Sequence, residues 1–179
     1  MASPQDDEGE DRPVEATVGD ALGESGDTVA VAESLTGGLV GSMLTDVPGA
    51  SDYVDRVVVA YSNDAKLDAL GVSRESLDRA GAVSEPVAVE MARGIRDGAG
   101  TTWGVSTTGI AGPTGGTDEK PVGLVYVGVA YAAPWGTDAS FARAERYVFD
   151  GDRLAVKRAS ATRALRDLLV AHREVAGRP

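Results

Sequence analysis

The chain has 179 residues with 42% hydrophobic content, enough for one domain with a sizeable core. Cysteine is absent and His172 is the only histidine, which excludes disulfides, thiolate metal sites, cysteine nucleophiles and multi-histidine metal sites. A formal net charge of −11 argues against a nucleic-acid binder, which needs a basic face, and the lack of a long apolar run or a basic leader points to a cytoplasmic protein without membrane contact. The only lysines are Lys66, Lys120 and Lys157. Acidity with so little lysine is the pattern of a halophilic surface, kept soluble in concentrated salt.

Residues 1–12 are acidic and polar and read as a disordered tail; residues 13–179 read as a single domain. Val14, Val18, Ala21 and Leu22 recur at helical spacing after Pro13, and Gly26 is a stop signal. Residues 28–32 form a short β-branched strand, and residues 36–44 a helix. Residues 57–61 form a second strand, apolar on both faces and therefore expected in the middle of the sheet. Ser62 or Asn63 caps a short helix over residues 64–70, closed by Gly71, and Ser73 opens another. Ser84-Glu85-Pro86 starts a longer helix. Residues 103–107 are a third strand, and residues 109–116 a glycine loop. Residues 122–131 form a strand without a polar face. Residues 139–149 alternate as a strand nearer an edge. From residue 152 to about 171 a helix carries Leu154, Ala161, Leu165, Leu168 and Leu169 inward. His172 reads as a solvent-exposed helix residue. These elements predict an α/β sandwich with a mixed sheet.

Three polar clusters follow strand ends: Ser34, the stretch Tyr61 to Lys66, and the stretch Thr107 to Gly116. In open α/β sheets such ends meet in the ligand crevice. Ser34 at a strand-to-helix turn reads as a nucleophile with oxyanion donors beside it, as part of an anion cradle, or as an ordinary helix N-cap. Lys66 is either a surface lysine or, since no histidine is at hand, the base that activates Ser34. Tyr61 either packs at the strand end or orients Lys66 or the substrate. The glycine loop fits neither the dinucleotide nor the Walker spacing; its amides either face a phosphate or only turn the chain. Asp152-Arg153 and Lys157-Arg158 form either a solvated turn or an anion clamp.

The stretches Ala32-Glu33-Ser34-Leu35-Thr36-Gly37-Gly38, Tyr61-Ser62-Asn63-Asp64-Ala65-Lys66, Gly81-Ala82-Val83-Ser84-Glu85-Pro86, Thr108-Gly109-Ile110-Ala111-Gly112-Pro113-Thr114-Gly115-Gly116, Glu119-Lys120-Pro121-Val122-Gly123 and Gly151-Asp152-Arg153 occur in that order. As an ordered set they resemble the CinA C-terminal domain family, the nicotinamide-nucleotide amidohydrolases. The resemblance implies hydrolysis of the carboxamide of nicotinamide mononucleotide to nicotinate mononucleotide and ammonia, without metal or cofactor. It implies Ser34 as nucleophile and Lys66 as base, with Tyr61 beside them. The implied substrate-binding set is Thr36, Gly37, Gly38, Thr108, Gly109, Gly112, Gly115 and Arg153, with backbone amides around residues 36–38 as oxyanion donors. It also implies a three-layer α/β/α sandwich with a mixed, mostly parallel sheet, and a homo-oligomer, with a dimer favoured. Longer members carry a further N-terminal domain; these 179 residues leave no room for it, so a pyrophosphatase activity is not expected. The alternative is a catalytically silent nucleotide-binding or partner-binding module linked to competence or DNA damage.

Overall fold

The computed structural model describes residues 12–177. The expected tail lies outside the described residues except for Arg12. Five strands form one sheet in the order β2-β1-β3-β4-β5, with β1 Val29–Glu33, β2 Val54–Val59, β3 Trp103–Gly109, β4 Leu124–Tyr131 and β5 Phe141–Val148. The sheet is mixed, as expected, and mostly parallel only in part. β1 pairs parallel with β2 and β3, while β3–β4 and β4–β5 are antiparallel. The reason is the direct β4–β5 connection, a hairpin that needs no crossover helix.

Helices cover both faces. α1 (Val14–Ser25), α2 (Leu39–Thr45) and the long α6 (Arg153–Ala176) pack on one. On the other lie α3 (Asn63–Leu70), α4 (Arg74–Ala80) and α5 (Glu85–Ala99). Strand alternation sends Val29 and Val31 into the first layer and Ala30 and Ala32 into the second. All four are fully buried, and each valine so placed contributes about 1.5–3 kcal/mol. The small residues on the second side let α5 press its backbone against the sheet. A Cβ on Gly104 would strike the Ala92 carbonyl, and one on Gly128 the Ala88 carbonyl.

Three expectations are corrected. β2 is an edge strand rather than a central one. Its valines are apolar on both faces because Val57 packs into the first layer and Val58 into the second. Leu154 is 60% exposed: it stands two positions before the buried Val156, about 200° away around the helix. The third is His172, whose side chain is only 11% exposed. Its ring lies 5.9 Å from Trp103, and its Nε2 lies 3.1 Å from the Ser25 Oγ. Trp103 opens β3, and Thr107 near its other end pairs with Glu33, so His172 and Ser34 are at opposite ends of the sheet. At that far end the β4–β5 connection holds Trp135 fully in solvent. No described helix is long and apolar enough to cross a membrane.

Candidate active site

β1 ends at Glu33, and the chain then turns through residues 34–38 before α2 begins. Gly37 (φ 64°) and Gly38 (φ 100°) take the left-handed conformations this turn requires. The Gly37 amide donates to the Ser34 carbonyl at 3.2 Å. Because the helix starts only at Leu39, its N-cap is Gly38 and not Ser34. That removes the N-cap reading of the serine. The N-terminus of α2 is satisfied by Glu33, which is fully buried. Its Oε2 accepts from the Gly38 amide at 2.9 Å and the Val40 amide at 3.2 Å, and its Oε1 from the Gly41 amide at 2.8 Å. The positive end of the helix dipole thus faces a carboxylate of the protein's own. The Gly38 amide is therefore taken, and among the described residues the amides of Leu35 and Thr36 donate to no protein acceptor.

Ser34 points to the other side of the sheet, toward α3. There Ser62 caps the helix by accepting from the Ala65 amide at 3.1 Å, which aims Lys66 inward in the first turn. Lys66 is 1% exposed. Its Nζ lies 3.3 Å from the Ser34 Oγ and donates to the carbonyls of Ala60 at 2.9 Å and Tyr61 at 3.1 Å. No carboxylate bonds to it among the described residues. Burial with no counter-charge pushes its pKa below the ordinary lysine value of 10.5. When neutral, its two hydrogens serve the two carbonyls and its lone pair faces the serine hydroxyl. That arrangement can remove the hydroxyl proton.

Over this pair the Arg153 guanidinium spans two connections. It donates to the Gly112 carbonyl at 2.8 Å and to the Tyr61 hydroxyl at 3.2 Å. Tyr61 is 63% exposed; its carbonyl accepts from Lys66, while its hydroxyl accepts from Arg153. Thr36 and Thr107 share a buried hydroxyl contact of 2.7 Å. The Thr108 hydroxyl donates to the Ala82 carbonyl at 2.7 Å, which ties β3 to the turn before α5. Gly109 is the last residue of β3, paired with Val125. Gly115 is exposed and nears Ile110. The structure thus gathers Ser34, Lys66, Tyr61, Gly112 and Arg153 at one end of the parallel strands. Gly109 is held in the sheet, and Gly115 stands outward on the loop.

Glu33 and Thr107 fall in stretches that the sequence singles out, but the sequence reading gives them no role of their own. Glu33 had a signal, a lone carboxylate in an apolar strand just before a glycine turn. Thr107 had only strand alternation, which places it opposite Thr108.

A family model described as the CinA C-terminal domain matches residues 11–171. A CinA-like protein of Salinibacter ruber is 53% identical over 88% of this chain and 36% of its own length. One from Chlorobaculum tepidum is 55% identical over 83% of this chain and 34% of its own. The chain thus spans about a third of these curated relatives. Among solved structures, a competence/damage-inducible protein of Agrobacterium tumefaciens superposes with a TM-score of 0.82 at 37% identity, covering 89% of this chain and 93% of that one. A Klebsiella pneumoniae competence damage-inducible protein gives 0.82 at 31% identity, covering 93% and 97%.

Proposed function

This chain belongs to the CinA C-terminal domain family, and from that premise we propose that it hydrolyses the carboxamide of nicotinamide mononucleotide to nicotinate mononucleotide and ammonia through Ser34 and Lys66. One observation carries the reading: a buried lysine amine 3.3 Å from the serine hydroxyl, its other contacts being neutral carbonyls. A lysine placed to be neutral beside a serine has the chemistry of a base.

In this mechanism the neutral Lys66 takes the Ser34 proton as Oγ attacks the amide carbon. The oxyanion is received by the amides of Leu35 and Thr36; of the expected donors around residues 36–38, those of Gly37 and Gly38 are engaged within the protein. The Lys66 ammonium then gives its proton to the departing nitrogen, the C–N bond breaks and ammonia leaves. An ester on Ser34 remains. Lys66, neutral again, takes a proton from water as its oxygen attacks the ester, and returns it to the Ser34 oxygen. Arg153 and Tyr61 hold the substrate at the mouth. Cytoplasmic pyridine-nucleotide salvage by a homodimer is the setting this reading supplies.

The test is ammonia release from nicotinamide mononucleotide, with mass spectrometry of the quenched enzyme. Release together with a transient acyl adduct on Ser34 is expected. A folded wild-type protein that binds the nucleotide and releases no ammonia would instead be a silent binding module.

A further inference from the structure

β5 is the last strand of the sheet, and among the described residues no strand pairs with its outer edge. That edge runs for eight residues in unbroken register with β4. A long, regular edge without a bulge is a template for another strand. Which groups it offers follows from one bond at its end: the Phe149 amide donates to the Gly123 carbonyl, just before β4, at 3.0 Å. Alternate residues from Phe149 back therefore bond toward β4, and the amides and carbonyls of Ala142, Ala144, Arg146 and Val148 turn outward. Arg143, Glu145 and Tyr147 line a groove of about 300 Å³ between β5 and α6, with Val127 and Val129 beneath it. Val170 of α6, 47% exposed, borders the groove. Glu145 has no cationic partner among the described residues, and a second acid, Asp167, lies near it on this face.

Charges on an edge strand commonly guard it by meeting a second copy like to like. Those of β5 do the reverse. In an antiparallel pairing with its own copy about a two-fold axis through Ala144, Arg143 stands opposite Glu145 twice over, and Phe141 opposite Tyr147. An axis at Arg143, Glu145 or Arg146 would set that residue against itself. At Ala144 the outward backbone groups also match. Ala144 meets its copy, and Ala142 meets Arg146 in both directions, as closely spaced pairs that exchange both hydrogen bonds. In a chain of net charge −11, whose copies repel, this strand carries two arginines against one acid.

We propose that the β5 edge binds a second copy of this chain, joining the two sheets into one about a two-fold axis at Ala144. This rests on the reading above for the homodimer, whose interface it assigns, and not for the chemistry. Glu145 gains the Arg143 of the other copy. Arg143 is bonded to Glu174 and 42% exposed, and its guanidinium has further N–H donors for that contact. Both α6 helices come to lie on the same face of the joined sheet, flanking the two grooves. Ser34 follows the end of β1, two strands in from this edge, so each copy keeps its own complete site.

Sedimentation velocity of the full chain at one fixed KCl concentration is the first test. The wild type is expected to be a dimer. Arg143→Glu and Glu145→Arg each set like charges opposite and are expected to raise the dissociation constant roughly tenfold or more. An equimolar mixture of the two variants, in which every opposed pair again has opposite signs, is expected to regain the dimer. The second test reads the register. The chain has no cysteine, and closely spaced partners have Cα atoms about 5.5 Å apart, within disulfide reach. Mild oxidation is expected to link Ala144→Cys into covalent dimers. Ala142→Cys is expected to stay unlinked, because the two copies of residue 142 lie roughly 14 Å apart in this register. A dimer that neither charge variant weakens, or an Ala144→Cys that links no more than Ala142→Cys, overturns this interface and leaves the homodimer standing. A monomeric wild type overturns both. Ammonia release tests the amidase reading separately and is unaffected by any of these outcomes.

Discussion

Glu33 and Ser34 are consecutive residues whose side chains lie on opposite faces of the sheet, the carboxylate on the amides of α2 and the hydroxyl against Lys66. Strand alternation alone keeps the nearest buried anion away from the lysine amine. An ammonium at residue 66 therefore gains no ion pair from Glu33, and burial acts on it unopposed.

Ser34→Ala is expected to fold normally and to lose amide hydrolysis by roughly three orders of magnitude or more. Ammonia release measures the loss, and an unchanged melting temperature separates it from unfolding. Near-normal turnover would remove Ser34 from the mechanism.

Lys66→Arg is expected to be nearly as inactive as Lys66→Ala, because a guanidinium keeps its proton. The lowered pKa of Lys66 also sets the pH dependence. The base works without its proton, so kcat rises with pH through that pKa, giving an acidic limb below 10.5. Stability moves the same way. Below the folded-state pKa both states are protonated and burial penalises the native one in full. Between that pKa and 10.5 the unfolded chain holds the extra proton, so Lys66's contribution to stability improves as pH rises. Substantial activity in Lys66→Arg would reduce the lysine to an electrostatic role.

Glu33→Gln is expected to destabilise the protein by about 1–3 kcal/mol. The carboxamide has one acceptor oxygen, and its NH2 group must then face an amide donor of α2. Urea denaturation gives the difference directly. A variant as stable as the wild type would mean that the turn can rearrange around the amide.

The net charge of −11 predicts a melting temperature that rises with KCl into the molar range, as screening relieves self-repulsion. A flat or falling curve would exclude the halophilic reading and leave the chemistry of Ser34 untouched.

The elements were legible in the sequence wherever a local signal existed. Gly26 and Gly71 close α1 and α3 in left-handed conformation, and Ser62 and Ser73 cap as their side chains allow. Strand order was less legible. The valines of β2 report only partial cover: Val57 and Val58 are half-buried against the two helix layers, and Val59 is exposed at the sheet edge. For the site, the proximity of Ser34 to Lys66 could be expected from strand-end clustering. The choice of oxyanion amides could not, since it depends on where α2 starts and on which donors Glu33 engages. Lys157 is likewise placed by the packing of α6 beside the turn at Gly37, which no local pattern encodes.

The mouth of the site joins Tyr61 to Arg153 across 92 positions of chain. Its other members come from the ends of β1 and β3 and from the start of α6. No contiguous fragment carries it, and a chain folding in stages has no working pocket until α6 docks. Turnover is therefore a late readout of folding. It reports the completed domain, while helix content or collapse would register long before.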